Sequence, residues 1–310
     1  MGELSVFKGD QPFVLPPVWT ASLAVFCGTC LDALIRYTRD MVDLPTLVFA
    51  RFAIATILVG VPFFLSGRRL GGWEAARFHA LRGLVHLIAA SLFFFALTKL
   101  HLALVTVLGF TSVLWITPMA WLLLNERPRA IAGVAGLIGF CGVAVTFIGR
   151  ELQGSLGVDE IQGFISVICS AVFYGLALVL LRKRATKDGT FLIAFYANLF
   201  PAIYTFIPFL VLGQGVTLEV LPFLVVMGIL GTTIWVLMTS AYARAPAQLL
   251  APTEYTALVW SVLIGWWLFK EVPEGLFWPG AGLVLLSCAL VSFASGKKQK
   301  AKPTVTNLTD

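Results

Sequence analysis

The chain is a succession of apolar blocks, each about as long as a lipid bilayer is thick, separated by short polar breaks. Crossing roughly 30 Å of hydrocarbon takes about 20 helical residues at about 1.5 Å each. The blocks at 18–37, 46–65, 79–97, 103–123, 131–149, 161–181, 190–212, 220–242, 247–269 and 276–295 have that length. Pro45, Gly67, Pro128, Asp188–Gly189, Gly213–Gly215, Pro246 and Pro273 mark the breaks between them, as residues that end helices or turn the chain do. In lipid no water satisfies a bare amide or carbonyl, so such blocks must be helices that close their own hydrogen bonds. Composition excludes a soluble globule: 59% of the 310 residues are hydrophobic and 12% charged, against about 45–50% and about 25% in soluble domains. The expectation is an all-α integral membrane protein of ten transmembrane helices. A segment 1–17 precedes them and a basic tail, 296–310, follows.

The first block is an uncleaved helix on this reading, because it outruns the apolar core of a signal peptide and carries Asp32 and Arg36. The net charge of +6 does not point to nucleic acid, because the basic residues sit in short loops and at the C-terminus. One side holds Arg68–Arg69, Arg127, Arg129, Arg182–Lys187 and Lys297–Lys302; the other holds only Arg39, Lys99, Arg150 and Lys270. The excess of Lys and Arg on one side predicts an inner-membrane protein with both termini in the cytoplasm.

A repeat organises the blocks. Shifting the sequence by 145 positions lays Ala96 on Ala241, Leu104 on Leu249, Thr111 on Thr256, Trp115 on Trp260, Trp121 on Trp266, Leu123 on Leu268, Glu126 on Glu271 and Pro128 on Pro273. Paired Trp, Glu and Pro are hard to obtain by chance. Five helices per copy is odd, so the copies, 18–149 and 161–295, should lie in opposite orientations. Inverted repeats of this kind are characteristic of secondary transporters, with sites near the midplane between the halves.

Four stretches then carry a resemblance. Asp32-Ala33-Leu34-Ile35-Arg36-Tyr37, Phe49-Ala50-Arg51-Phe52, Ala96 through Glu126-Arg127, and Leu250-Ala251-Pro252-Thr253-Glu254-Tyr255 through Phe269-Lys270-Glu271-Val272-Pro273 together resemble the EamA-type members of the drug/metabolite transporter superfamily. That family usually has Gly before each helix-end Glu, where this chain has Asn125 and Lys270. The resemblance implies ten helices and energy-coupled transport of small metabolites: amino acids, amines, nucleoside-like compounds or cofactors.

Ionisable groups within a bilayer cost several kcal/mol unless paired or hydrated, which makes them functional candidates. Asp32 and Arg36 are spaced i,i+4, with Arg51 early in the second helix; Arg82 and His86 are again i,i+4, with His79 a turn earlier. These groups read as two gating or charge layers around a central cavity, or as structural ion pairs and snorkelling arginines. Glu254 lies deepest and opens the motif-bearing ninth helix. With Tyr255 and an aromatic wall, Trp235, it is the leading candidate for the substrate site, since the repeat pairs Glu254 with Gly109 and Tyr255 with Phe110. An asymmetric substrate needs such asymmetric ligands. Thr239, Trp115, Phe110, Tyr174 and Asn198 are further candidate pathway residues, against a bland reading as core or lipid-facing side chains. Ion pairing of Arg82 with Glu254 is expected in at least one conformation. Glu126 and Glu271 read as structural or gating groups, and the Gly133–Gly142 run as close helix packing.

No metal or cofactor is expected. Cys27 and Cys30 form a CxxC without further ligands, and His79, His86 and His101 form no metal set. No GxxxxGK[ST] occurs for nucleotide hydrolysis. The chain is therefore expected to be no enzyme but a secondary transporter of a small organic metabolite, with protons as a candidate coupling ion. The rival is a membrane-embedded enzyme acting on a lipid-linked substrate, which would need a dense catalytic cluster at one membrane face.

Overall fold

The structure is a computed structural model that describes residues 15–67, 70–124, 130–152, 157–184, 188–244, 253–254, 256–273 and 275–296. All regular structure among these residues is helical. In order they form α1 (Pro17–Tyr37), α2 (Leu44–Leu65), α3 (Trp73–Lys99), α4 (Leu102–Gly109), α5 (Ser112–Leu124), α6 (Ala130–Leu152), α7 (Val158–Arg184), α8 (Thr190–Leu212), α9 (Leu221–Arg244), α10 (Thr256–Phe269) and α11 (Phe277–Gly296). Seven of the resulting stretches are long and apolar enough to cross a membrane, α4 and α5 counting together as one. The segment expected at 247–269 is described as a helix from 256, with Thr253 and Glu254 also helical; residues 245–252, and with them the Arg244–Ala247 turn, lie outside the described residues.

Local chemistry sets the ends. Prolines occupy the first turns of α1 and α2, where a missing N–H costs nothing, and the Asp43 carboxylate caps α2 by accepting from the Thr46 amide at 2.9 Å. The fourth block is not the continuous helix expected at 103–123. Its ladder tightens at Phe110 and Thr111, where the Thr111 amide bonds the Leu108 carbonyl at 3.1 Å and the Thr111 hydroxyl donates to the same carbonyl at 2.6 Å. A hydroxyl that competes for a backbone acceptor next to Gly109 breaks the helical register.

The shift of 145 that aligns residues 96–128 also brings the bounds of α1, α2, α3 and α6 to within a few residues of those of α7, α8, α9 and α11, and lays the end of α5 on the end of α10. The contacts obey the same exchange. Helix α3 packs on α7 as α9 does on α1; α5 packs on α7 as α10 does on α1; α3 packs on α8 as α9 does on α2. The pairs α2–α8 and α6–α11 map onto themselves. Two equivalent glycines make close approaches: a Cβ on Gly83 would lie 2.8 Å from Phe200, and one on Gly228 would lie 2.5 Å from Ile54. Gly142 likewise lies against α11, its Cβ position 2.8 Å from the Gly280 carbonyl. Such contacts let backbones meet in a solvent that supplies no hydrophobic drive between helices.

The main core gathers Phe52, Leu97, Leu108, Val167, Leu224 and Met227 between the halves. Apolar side chains also cover the outer faces, with Val211 at 73% and Leu137 at 71% exposure, and Trp19, Trp73, Trp267 and Trp278 stand exposed near helix ends. An apolar exterior rimmed by tryptophan is the surface a bilayer covers.

Candidate functional site

A line of charged side chains runs through the bundle, carried mostly by α1, α2 and α3. At the end where α1 meets α2, Arg36 is buried at 8% exposure. Its guanidinium bonds the Leu97 carbonyl at 2.9 Å, the Leu100 carbonyl, and the Glu271 carboxylate. The other oxygen of Glu271 accepts from the Leu102 amide, the first of α4, at 2.9 Å. Arg36 and Glu271 thus tie together α1, the end of α3, the start of α4 and the end of α10. Spacing along α1 suggested Asp32 as the neighbour of Arg36; the partner is instead Glu271, brought in by tertiary packing. Lys270, just before it, has φ +57°. That left-handed position after α10 is the one glycine occupies most easily, which gives a physical reason for the glycine of the family pattern.

At the opposite end His79 bonds Asp188 at 2.9 Å, Arg184 lies 3.9 Å from Asp188 and 3.1 Å from Glu74, and Tyr196 stacks on the His79 ring at 5.5 Å. Arg82, 1% exposed, donates to the His79 ring at 3.3 Å and to the Ile193 carbonyl at 3.2 Å, and lies over the Trp235 ring at 5.8 Å. The carboxylate that acts on Arg82 in this conformation is Asp188, whereas Glu254 acts on the Tyr174 hydroxyl. In the sequence Asp188 reads only as part of a helix break, not as a partner of the buried charges. The available signal is its repeat partner, Asp43, which also sits just before a helix.

Between these two closed ends lie groups with unspent hydrogen-bonding capacity. Arg51 is 4% exposed, and its Nε and Nη1 have no hydrogen-bond partner. It lies over Phe52 at 4.2 Å and Phe94 at 5.7 Å, contacts worth about 0.5–2 kcal/mol each. A buried ion costs several kcal/mol to desolvate, so the rings offset only part. Asp32 attracts Arg51, yet no ion pair joins them among the described residues. His86 lies in the field of both Arg51 and Arg82, and meets the Trp235 ring edge-on at 5.2 Å. Its Nδ1 has no partner. The Tyr174 hydroxyl feels both Asp32 and Glu254, and Trp115 lies against Gly175 with its indole nitrogen unpartnered.

Asp32, Arg51, Arg82, His86, Trp235, Tyr174 and Glu254 are thus linked by contact or by field. Trp115, Thr239 and Asn198 each carry a buried polar atom without a partner, the Asn198 amide also bonding the Ala194 carbonyl at 2.9 Å. Phe110 belongs instead to an apolar cluster with Val107, Leu258 and Val284. Tyr255, Glu126 and Arg127 lie outside the described residues. Among the described residues no group of histidines, cysteines and carboxylates could hold a metal.

Long apolar helices enclosing a charged line, closed by ion pairs at both ends, define a multi-pass membrane protein built around a polar interior. The model of the EamA-like transporter family matches residues 15–148 and 161–293, and the chain belongs to that family. It is 26% identical over 280 residues to the pseudopaline exporter of Pseudomonas aeruginosa, covering 89% of this chain and 95% of that one. It is 21% identical over 281 residues to the S-adenosylmethionine uptake transporter of Rickettsia bellii, covering 90% and 94%. A protein of known crystal structure shares the fold with a TM-score of 0.61 at 19% identity, over 89% of this chain and 98% of that one.

Proposed function

We propose that this protein is a secondary transporter that moves a small organic metabolite by alternating access, through ten transmembrane helices arranged as two inverted five-helix halves. The observation that carries the reading is the polar line itself: ion-paired closures at both ends bracket partnerless donors and acceptors in the middle. A purely structural interior would satisfy those groups. The exchange symmetry of the helix contacts supports a two-fold relation between the halves, since α2–α8 and α6–α11 map onto themselves, and an odd number of spans per half would lay that axis in the membrane plane. Relatives bearing the names of an exporter and an uptake transporter support a small-molecule substrate and leave both directions open.

In this reading Glu254, Tyr255, Tyr174 and Trp235 contact the solute, with Trp115, Thr239 and Asn198 along the pathway. Phe110 supports the wall from the core. Asp32, Arg51, Arg82 and His86 form the charge layer, and Arg36 with Glu271 is the gate on the outer side. The protein sits in the inner membrane with both termini cytoplasmic, and protons are the coupling ion.

The direct test is uptake of isotope-labelled metabolites by proteoliposomes, with and without an imposed proton gradient. Accumulation that collapses with the gradient is expected. Chemical conversion of a lipid-linked compound without net solute movement would favour the enzyme instead. Orientation is checked separately: a cysteine in the 182–187 loop should escape an impermeant thiol reagent on intact cells, and one in the 154–157 loop should react.

A further inference from the structure

Arg51 does not behave as a gate residue. A gate arginine is held by acceptors, as Arg36 is: Nη1 and Nη2 reach two carbonyls and the Glu271 carboxylate, and only its Nε has no partner. Arg51 is more deeply buried, and its Nε and Nη1 donors point at no acceptor. Its neighbours are two aromatic faces, Phe52 and Phe94, and Asp32, which attracts it without bonding. The opposing helix has been cleared for it. A Cβ on Gly231 would fall 2.8 Å from Arg51 Nη2 and 3.2 Å from its Cζ, so a methyl there would push the guanidinium from the place it takes against α9. One turn further along the same face of α9 stands Trp235, against which His86 packs. The guanidinium and the imidazole therefore face successive turns of α9, about 6 Å apart along the helix at 1.5 Å per residue.

A permanent cation, desolvated, cleared of steric obstruction and left with free donors, is a receptor for an oxyanion. Resting on the transporter reading above, we infer that Arg51 binds an oxyanion, a carboxylate or a phosphate, carried by the transported solute, and that Gly231 is the specificity-determining clearance that makes this possible. The two aromatic faces keep water from the guanidinium and so strengthen its bond to an incoming anion. Arg82 is held differently, because its Nε and Nη2 already donate to His79 and to the Ile193 carbonyl, and it has no buried nitrogen without a partner.

The test uses the full-length protein in liposomes and three sets of labelled solutes: carboxylates, phosphate monoesters, and amines lacking any anionic group. Transport of carboxylates or of phosphate esters is expected, and which set crosses identifies the oxyanion. Arg51→Gln should weaken the apparent affinity for that solute at least tenfold, Arg51→Lys less, and Gly231→Ala should resemble Arg51→Gln because the added methyl displaces the guanidinium. If Arg51→Gln does not insert, the wild type still decides by competition: the free acid should compete with the labelled solute, and its amide or its neutral ester should not. Transport confined to amines, or equal competition by acid and amide, overturns the assignment of Arg51 and leaves the transporter reading standing. No movement of any set overturns that reading, and the inference with it.

Discussion

The two halves of the chain share helix lengths, contacts and the close approaches at Gly83 and Gly228, yet they differ in what fills the same positions. In the first half the line of buried charge runs through Asp32, Arg36, Arg51, His79, Arg82 and His86. Their equivalents in the second half are Ala177, Leu181, Tyr196, Leu224, Met227 and Gly231, of which Ala177, Leu224 and Met227 belong to the buried core. One copy of the fold supplies charge, and the other supplies the apolar walls and the gap at Gly231. Within a duplicated frame, the residues that differ are those free to answer to a ligand, while those that agree hold the frame. The second half has its own asymmetric pair in Glu254 and Tyr255, so the contrast is one of sign: five cationic or imidazole groups in the first half face the carboxylates Asp188, Glu254 and Glu271 of the second.

The strongest way to break this contrast is to remove one partner of the closure near α1. Glu271→Ala leaves the Arg36 guanidinium buried with carbonyls alone and should cost roughly 3–5 kcal/mol, read as a large fall in melting temperature of the detergent-purified protein. The double variant Arg36→Leu, Glu271→Leu, which writes the side chain of Leu181 into the first half, should recover most of that loss. A double variant as unstable as the single one would show that the charges do not act as a pair.

Writing Met227 into the first half, as Arg82→Met, removes the donors to the Ile193 carbonyl and to His79. A loss of about 1–3 kcal/mol is expected for the orphaned acceptors. No change in melting temperature would mean that the second half's choice of methionine is equally good here and that the contrast carries no energy.

Lys270→Gly should raise stability by about 1–2 kcal/mol, the cost of holding a residue with a side chain in the left-handed region. Lys270→Ala should not, since alanine pays the same steric cost. A gain with alanine would assign the effect to the lysine's charge instead.

The smallest effect concerns Asp43 and Asp188, equivalent positions with different partners. Burial alone would raise the Asp43 carboxyl, but the hydrogen bonds from the Thr46 and Gln214 amides outweigh it and hold the group below the ordinary carboxylate range. Its contribution is therefore complete above the ordinary pKa and is lost as the pH falls through the lower folded value. Asp43→Asn should lower the melting temperature at neutral pH by an amount worth about 1 kcal/mol or less. The difference from wild type should shrink as the pH falls below the ordinary carboxylate range and through the lower folded value. A difference that persists unchanged in acid would sink the capping role.

Much of the frame was legible in the sequence because hydropathy and helix breakers act locally: the bounds of α8, expected at 190–212, coincide with Thr190–Leu212. The break at Phe110–Thr111 was not, because it depends on which carbonyl a threonine hydroxyl takes. Partners of the buried charges were the least legible. Spacing along one helix put Arg36 beside Asp32, whereas the folded chain gives Arg36 to Glu271 across 235 positions; Arg82, expected from its depth to meet Glu254 in at least one conformation, here bonds His79 and the Ile193 carbonyl. Helical periodicity says which residues share a face; it says nothing of what the facing helix brings.

The fastening around Glu271 has a consequence for timing. One carboxylate holds both the Arg36 guanidinium and the first amide of α4, and that guanidinium holds the last carbonyls of α3. These bonds share atoms, so losing one leaves the others poorly supported and they release together. As the outer gate proposed above, an end fastened in this way should open in a single step, with a waiting time set by one barrier and no lasting half-open form. Single-molecule distance records across the α3–α10 end would then show two levels with exponential dwell times.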